Sequence, residues 1–335
     1  MYIDLQKRID AVPQADYPIH SRIHRLKTFT SPNATYYLKR DDELGFGISG
    51  SKIRKYRTLI PFLVSSQFDE VIVIGSLNSN NVLGISQVLI ENQLKPKYFL
   101  RGDPKRHQQG NSLLLSLFID FNTVRWFQKN EWKGVEKEAL KYAAENRGKV
   151  FIIKEGGSVK ESLPGALTLP LDILQNEKNE GIAFDHIFID AGTGLMASSL
   201  ILAFSLWKRR THIHVVLIAG DRDYFISQLS FFHKELEKFL QTDIPFPQNF
   251  TLYYPKEDFG KINDDIFKDI SSFAKQEGIF TDPIYTAKLL TAVKNIGKDL
   301  QGNILINHSG GGLSLFGFLH NPRNGDSKGV PDAIF

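Results

Sequence analysis

Lys52 stands between small residues and heads a basic helical run in KRDDELGFGISGSKIRKY, residues 39–56. A lysine amine held partly desolvated, or beside other cations such as Arg54 and Lys55, attacks carbonyl groups and forms a Schiff base. A solvated surface lysine is the plain alternative. A second group follows the apolar run 71–74 in VIVIGSLNSNNVLG: Asn78, Ser79, Asn80 and Asn81. Ser and Asn cap helices, so a capped turn explains them. The same side chains would hold a planar polar ligand, with Ser79 able to assist proton transfer where a base lies close.

IDAGTGLMASSLILAF, residues 189–204, reads as strand, Gly-x-Gly loop and helix. Backbone N–H groups at a positive helix end form a phosphate cradle; tight packing of helix on strand accounts for the glycines equally well. The full dinucleotide fingerprint is absent, because Ser198 or Ser199 stands near the third glycine's place, and there is no Walker lysine. In FIIKEGGSVKESLPGAL, residues 151–167, a strand runs into Glu155, two glycines and Ser158, which suits a turn. Tyr285 lies at a Pro-defined helix start in QEGIFTDPIYTAK, and Ser309 follows a strand in ILINHSGGGLSLFG. A buried hydroxyl with a local partner accounts for Tyr285. His308, Asp282 and Ser309 lack the spacing of a hydrolase triad, and no serine sits in a Gly-x-Ser-x-Gly elbow. No group of His, Asp and Glu has metal-ligand spacing, so no catalytic metal is expected.

These residues need a scaffold of strands and helices. Apolar runs at 71–74, 98–101, 150–153 and 186–189 alternate with helical patterns at 83–92 and 112–118; a second series at 214–218, 251–254 and 303–307 alternates with 224–240, 264–277 and 283–295. Continuous apolar strands between helices argue for parallel sheets covered on both faces. The expected fold class is α/β and two-lobed, each lobe a mostly parallel sheet flanked by helices, with a ligand crevice between them. The 335 residues, 42% hydrophobic and 23% charged, exclude disordered, collagenous and coiled-coil classes. The net charge of +4 comes from short, scattered basic runs, so a nucleic-acid partner is not expected. With no cysteine, disulfides, thiolate metal sites and cysteine nucleophiles are excluded. MYIDLQKRID lacks a signal peptide's apolar core, and Asp190, Gly192 and Gly194 interrupt the one membrane-like stretch, 187–207. A soluble, cytoplasmic protein with no membrane partner is expected.

Taken in order, KRDD with SGSKIRKY, GSLNSNN, EGGSVKESLPGA, AGTGLMAS, QEGIFTDPIYTAK and NHSGG resemble the pyridoxal-phosphate enzymes of fold type II, in the D-cysteine desulfhydrase and 1-aminocyclopropane-1-carboxylate deaminase branch. The runs cover residues 39–312. The resemblance implies a larger cofactor-binding lobe of residues 1–50 and 165–335, a smaller lobe of 51–164, and a homodimer. It implies pyridoxal 5'-phosphate on Lys52 as a Schiff base, with Lys52 also moving the substrate's α-proton. Asn80 would bond the ring hydroxyl. Ser79 would contact the substrate carboxylate or assist proton transfer, and Tyr285 matches the family's active-site tyrosine. Gly192, Thr193, Gly194 and the following amide of Leu195 would hold the phosphate. Ser309 would face the ring nitrogen, with Thr286 as a second candidate.

Branch members acting on aminocyclopropane carboxylate carry Glu after the tyrosine and Leu after the late histidine; here these are Thr286 and Ser309. That resemblance leans to a lyase performing α,β-elimination on D-cysteine, giving pyruvate, ammonia and sulfide. The alternative is deamination of aminocyclopropane carboxylate to 2-oxobutyrate and ammonia. Three departures from the family pattern are Asn78 for Gln, Leu195-Met196 for a hydroxyl residue, and Phe259-Gly260 for Tyr-Gly. They motivate a third reading, a cofactor-binding homologue with little or no turnover.

Overall fold

The structure is a computed structural model that describes residues 2–47, 50–103, 105, 109–256 and 259–318. Ser49 of the SGSKIRKY run and the stretch 319–335 of the larger expected lobe lie outside the described residues. Among the described residues there are ten strands: β1 Ile23–Ser31, β2 Ala34–Lys39, β3 Glu70–Ser76, β4 Pro96–Arg101, β5 Arg125–Phe127, β6 Val150–Ile153, β7 His186–Ala191, β8 His212–Leu217, β9 Phe250–Tyr253 and β10 Gly302–Asn307. They form a six-stranded sheet in the order β1-β2-β10-β7-β8-β9 and a four-stranded sheet in the order β5-β4-β3-β6. Every pairing is parallel except β1 with β2.

The uninterrupted apolar runs follow from burial on both faces. In β3, Val71 and Val73 pack with Leu59 and Val82 on one side, while Ile72 and Ile74 pack with Phe99 and Ala139 on the other. In β7, Ile187 and Ile189 join Leu200 and Phe204, and Phe188 joins Leu289 and Val293. Helices therefore cover both sides of each sheet, as the sequence pattern predicts. The β1–β2 hairpin is the departure from that pattern. HRLKTFTS and ATYYLK mix charged, hydroxyl and apolar residues, and only Leu26, Tyr36 and Leu38 of them are wholly buried apolar side chains.

A buried ionic network ties the helix Lys52–Ser65 to the larger sheet. Arg54, fully buried, donates to both oxygens of Asp41 at 2.8 and 2.7 Å and to Asp172 at 2.8 Å. Lys39, at the end of β2, donates to Asp172, to the Ser21 carbonyl at 2.6 Å and to Asn176 at 2.6 Å. Ser21 completes it, its hydroxyl donating to Asp41 at 2.7 Å and its amide to Asp172 at 3.1 Å. Two cations and two carboxylates, all buried, thus satisfy one another, the condition under which buried charge is tolerated. The consequence is positional, because Arg54 is two residues from Lys52. Among the described residues, no helix is long and apolar enough to cross a membrane.

Candidate active site

The carboxyl ends of β3, β4, β6, β7 and β10 open on one cleft of about 1230 Å³ between the two sheets. Parallel α/β sheets place ligands at this end, where strand-to-helix turns expose backbone amides. Lys52, Ser79, Asn80, Tyr285 and Ser309 line the cleft together with the 192–195 turn, so the residues singled out in the sequence meet in one place.

Lys52 is the first residue of its helix. The preceding turn is fixed against the end of β10: the Ser51 amide donates to the Ser309 carbonyl at 3.0 Å, and Gly50, at φ +53°, leaves no room there for a side chain. This junction sets Lys52 opposite Ser309. Burial pulls the Lys52 amine below the usual lysine range, opposed by the carboxyl groups of Asp190 and Asp282. One turn on, Lys55 also lines the cleft and donates to the Gly156 carbonyl at 3.0 Å. Burial, assisted by the neighbouring Lys52 charge, takes Lys55 down to about 7.

Ser79 forms the capped turn and also lines the cleft. Its hydroxyl oxygen caps the helix Asn80–Glu91, accepting from the Asn81 amide at 3.2 Å and the Val82 amide at 3.3 Å. Accepting those bonds leaves its O–H proton as a donor toward the cleft. Asn80 is buried, and its carbonyl oxygen accepts from Asn111 at 2.6 Å, so its own amide N–H groups remain to donate. Asn111, which also donates to the Asn78 carbonyl at 3.2 Å, had no motif to announce it. Tyr285 is set by Asp282, whose carboxylate accepts from the amides of Ile284, Tyr285 and Thr286 at 2.7–3.0 Å. Burial pushes the Tyr285 hydroxyl well above its ordinary range, with Asp282 and Asp190 adding to the effect. A side chain on Gly192 would start 3.3 Å from the Tyr285 ring, which places that ring against the turn.

Gly194 occupies the left-handed region at φ +89° and opens the helix Leu195–Leu206. The first amides of such a helix lack partners within it and point outward, the arrangement that binds anions. Thr193 contributes a hydroxyl beside Gly156. Ser158 adds another; it lines the cleft and its buried oxygen has no hydrogen-bond partner. It offers a hydroxyl on the cleft wall where Leu195-Met196 offers none.

One expectation needs correction. Thr286 does not face the cleft: it is fully buried and its hydroxyl pairs with His308 Nδ1 at 3.2 Å. His308 is held from its other nitrogen by the Phe280 carbonyl at 2.9 Å, and its Nδ1 also accepts from the Gly310 amide at 3.2 Å. Thr286 is thereby turned away, and of the two hydroxyl candidates Ser309 alone lines the site. The sequence reading also passed over Asp190, noted only as a break in an apolar stretch; it lines the cleft, and burial pushes its carboxyl up to about 6.

The comparisons bear on this geometry. No family model matches the chain. The chain is 27% identical over 317 residues to the mitochondrial bifunctional D-cysteine desulfhydrase/1-aminocyclopropane-1-carboxylate deaminase of Arabidopsis thaliana, covering 88% of this chain and 77% of that one. It is 22% identical over 335 residues to a D-cysteine desulfhydrase of Serratia proteamaculans, covering 94% and 99%. The crystal structure of an aminocyclopropane-carboxylate deaminase homologue superposes with a TM-score of 0.78 at 24% identity, covering 95% and 98% of the two chains. The chain is similar to these enzymes and shares the fold of the deaminase homologue.

The cleft fits pyridoxal 5'-phosphate on its own chemistry. An aldehyde finds a primary amine in Lys52, a phosphate finds a helix N-terminus with the Lys55 amine lining the same cleft, and a ring hydroxyl finds the free amide N–H groups of Asn80. Buried polar atoms without partners also face this space: Ser158 Oγ, Asp190 Oδ1, Asn111 Oδ1 and both amide atoms of Asn307. Such orphans are costly in a finished protein unless a ligand or water meets them. Gly194→Ala tests the cradle. A Cβ at φ +89° costs ~1–2 kcal/mol and would press on the Phe225 ring at 3.3 Å. The expected outcome is a roughly tenfold weaker affinity for pyridoxal phosphate by absorbance titration; unchanged affinity would remove the turn from the site.

Proposed function

We propose that this protein is a pyridoxal-phosphate-dependent lyase that performs α,β-elimination on D-cysteine, consuming water and giving pyruvate, ammonia and sulfide. The observation that carries the choice of reaction is the Thr286 hydroxyl, bonded to His308 behind the cleft wall. Where branch members acting on aminocyclopropane carboxylate present a carboxylate after the tyrosine, this chain presents none.

In this reading the site draws on both sheets, with lobe boundaries near residues 50 and 164. Ser79 and Asn80 come from the smaller lobe, the 192–195 turn, Tyr285 and Ser309 from the larger. The amides of Gly192, Thr193, Gly194 and Leu195 would hold the phosphate with Lys55 as counter-charge; Asn80 would hold the ring hydroxyl and Ser309 the ring nitrogen. When bound, the cofactor supplies an electron sink for charge that develops at the substrate's α-carbon. Lys52 is the base that takes the α-proton at Nζ, and its lowered proton affinity makes the neutral amine accessible nearer neutral pH. Ser79 donates its free O–H to the substrate carboxylate. Tyr285, held protonated by burial, acts as a hydrogen-bond donor beside the turn.

The test is product analysis of the cofactor-loaded protein. Equal yields of pyruvate and sulfide from D-cysteine, without 2-oxobutyrate from aminocyclopropane carboxylate, support the elimination; 2-oxobutyrate as the main product assigns the deaminase reaction instead. A loaded protein that forms neither product supports the binding homologue. That second reading is favoured by Phe259, whose ring lies 6.3 Å from that of Tyr285 on the cleft wall and brings no hydroxyl there.

A further inference from the structure

Asp190 lies near the end of β7, two residues before Gly192, on the same cleft wall as Lys52. The neighbouring strand β10 runs beside β7 with Ile306 opposite Phe188, so Ser309 follows near the level of Asp190, and the Ser309 carbonyl holds the amide of Ser51, the residue before Lys52, at 3.0 Å. The Oδ1 of Asp190 is buried without a partner. A carboxylate oxygen enclosed in this way is stable only where a cation or a donor shares the enclosure.

The charged and titratable groups around it come from four elements. The helix Lys52–Ser65 brings Lys52 and Lys55, β7 brings Asp190, the turn before the helix Thr286–Ile296 brings Asp282 and Tyr285, and the loop after β6 brings Glu155. Asp282 is committed, since its two oxygens accept from three backbone amides. Asp190 keeps a buried oxygen without a partner, and Lys52 is the amine whose charge acts on it.

We propose that Asp190 is a positioning residue that sets the protonation of Lys52, holding the amine as an ammonium and accepting its proton when a carbonyl ligand enters the cleft. The transfer moves one proton from Lys52 Nζ to Asp190 Oδ1 and leaves a neutral amine beside a neutral carboxylic acid. Burial, with the nearby Asp282 charge, takes the carboxyl up to about 6 against the opposing Lys52 charge, so Asp190 is a stronger proton acceptor than an exposed aspartate. The inference deepens the reading of Lys52 as the attachment residue and rests on it for its functional meaning.

The test needs no cofactor, so its failure is separable from failure of that reading. The cofactor-free full chain is treated with trace acetic anhydride across a pH series, and mass spectrometry of its peptides gives the labelling curve of Lys52, with exposed Lys129 as reference. In Asp190→Asn the Lys52 midpoint is expected to fall by about one pH unit, making Lys52 about tenfold more reactive below both midpoints, while Lys129 is unchanged. A midpoint that does not move overturns the proposal. Should the variant not fold, the wild-type curve decides alone. Coupled groups titrate in two steps, so Lys52 reactivity is expected to show a second inflection on the acid side, and a single-site curve overturns the proposal.

Discussion

Lys52→Ala is expected to lower kcat for the proposed elimination from D-cysteine by roughly 1000-fold or more, the scale of losing a positioned base together with a covalent attachment point. Folding should be nearly unaffected. Lys52 is partly exposed at the first position of its helix, and alanine is the best helix former, so the stability change is expected within ~0.5 kcal/mol. Steady-state kinetics beside a urea melt check both halves. Turnover within tenfold of wild type would remove Lys52 from the chemistry, and a large stability loss would make the activity result uninformative about catalysis.

The second large effect is thermodynamic. Asp172→Ala is expected to destabilise the protein by about 3–5 kcal/mol, the cost of leaving buried cations uncompensated. Asp172 is nearly inaccessible and receives bonds from Arg54, Lys39 and the Ser21 amide; without it two cations face Asp41 alone. Stabilities of single domains amount to about 5–15 kcal/mol, so the midpoint of urea unfolding should drop by a large fraction. A loss under ~1 kcal/mol would mean that water enters the network and that the helix carrying Lys52 is held by other contacts. His20, which pairs with Asp172 at 3.0 Å, is mostly exposed on its side-chain surface and cannot substitute for the buried partners.

The expected parallel sheets were readable because β3 and β7 send alternate side chains into two different cores, which writes an unbroken apolar run into the sequence. The β1–β2 hairpin lacks such a run, since its polar residues intervene between the few that are buried, so no periodic signal marks it. At the site, Lys52, Ser79, Asn80, the 192–195 turn and Ser309 were marked by local chemistry: a lysine among small residues, a polar turn after a strand, glycines before a helix. Asn111 and Asp172 act through partners 31 and 118 residues away in sequence, at Asn80 and Arg54, and no local pattern encodes such pairings. Thr286 was misplaced for a related reason. Its neighbour Tyr285 faces the cleft, yet the next residue on the helix is rotated away to meet His308, a direction set by the Asp282 cap. Asp190 was hidden by its position in an apolar strand, where a charged residue reads as an interruption.

The most direct test of the central claim is borohydride reduction of the cofactor-loaded protein, followed by peptide mapping of the modified lysine. The account predicts a stable pyridoxyl adduct on Lys52 alone. An adduct on Lys55 or any other lysine, or loaded protein that yields no adduct at all, would contradict it.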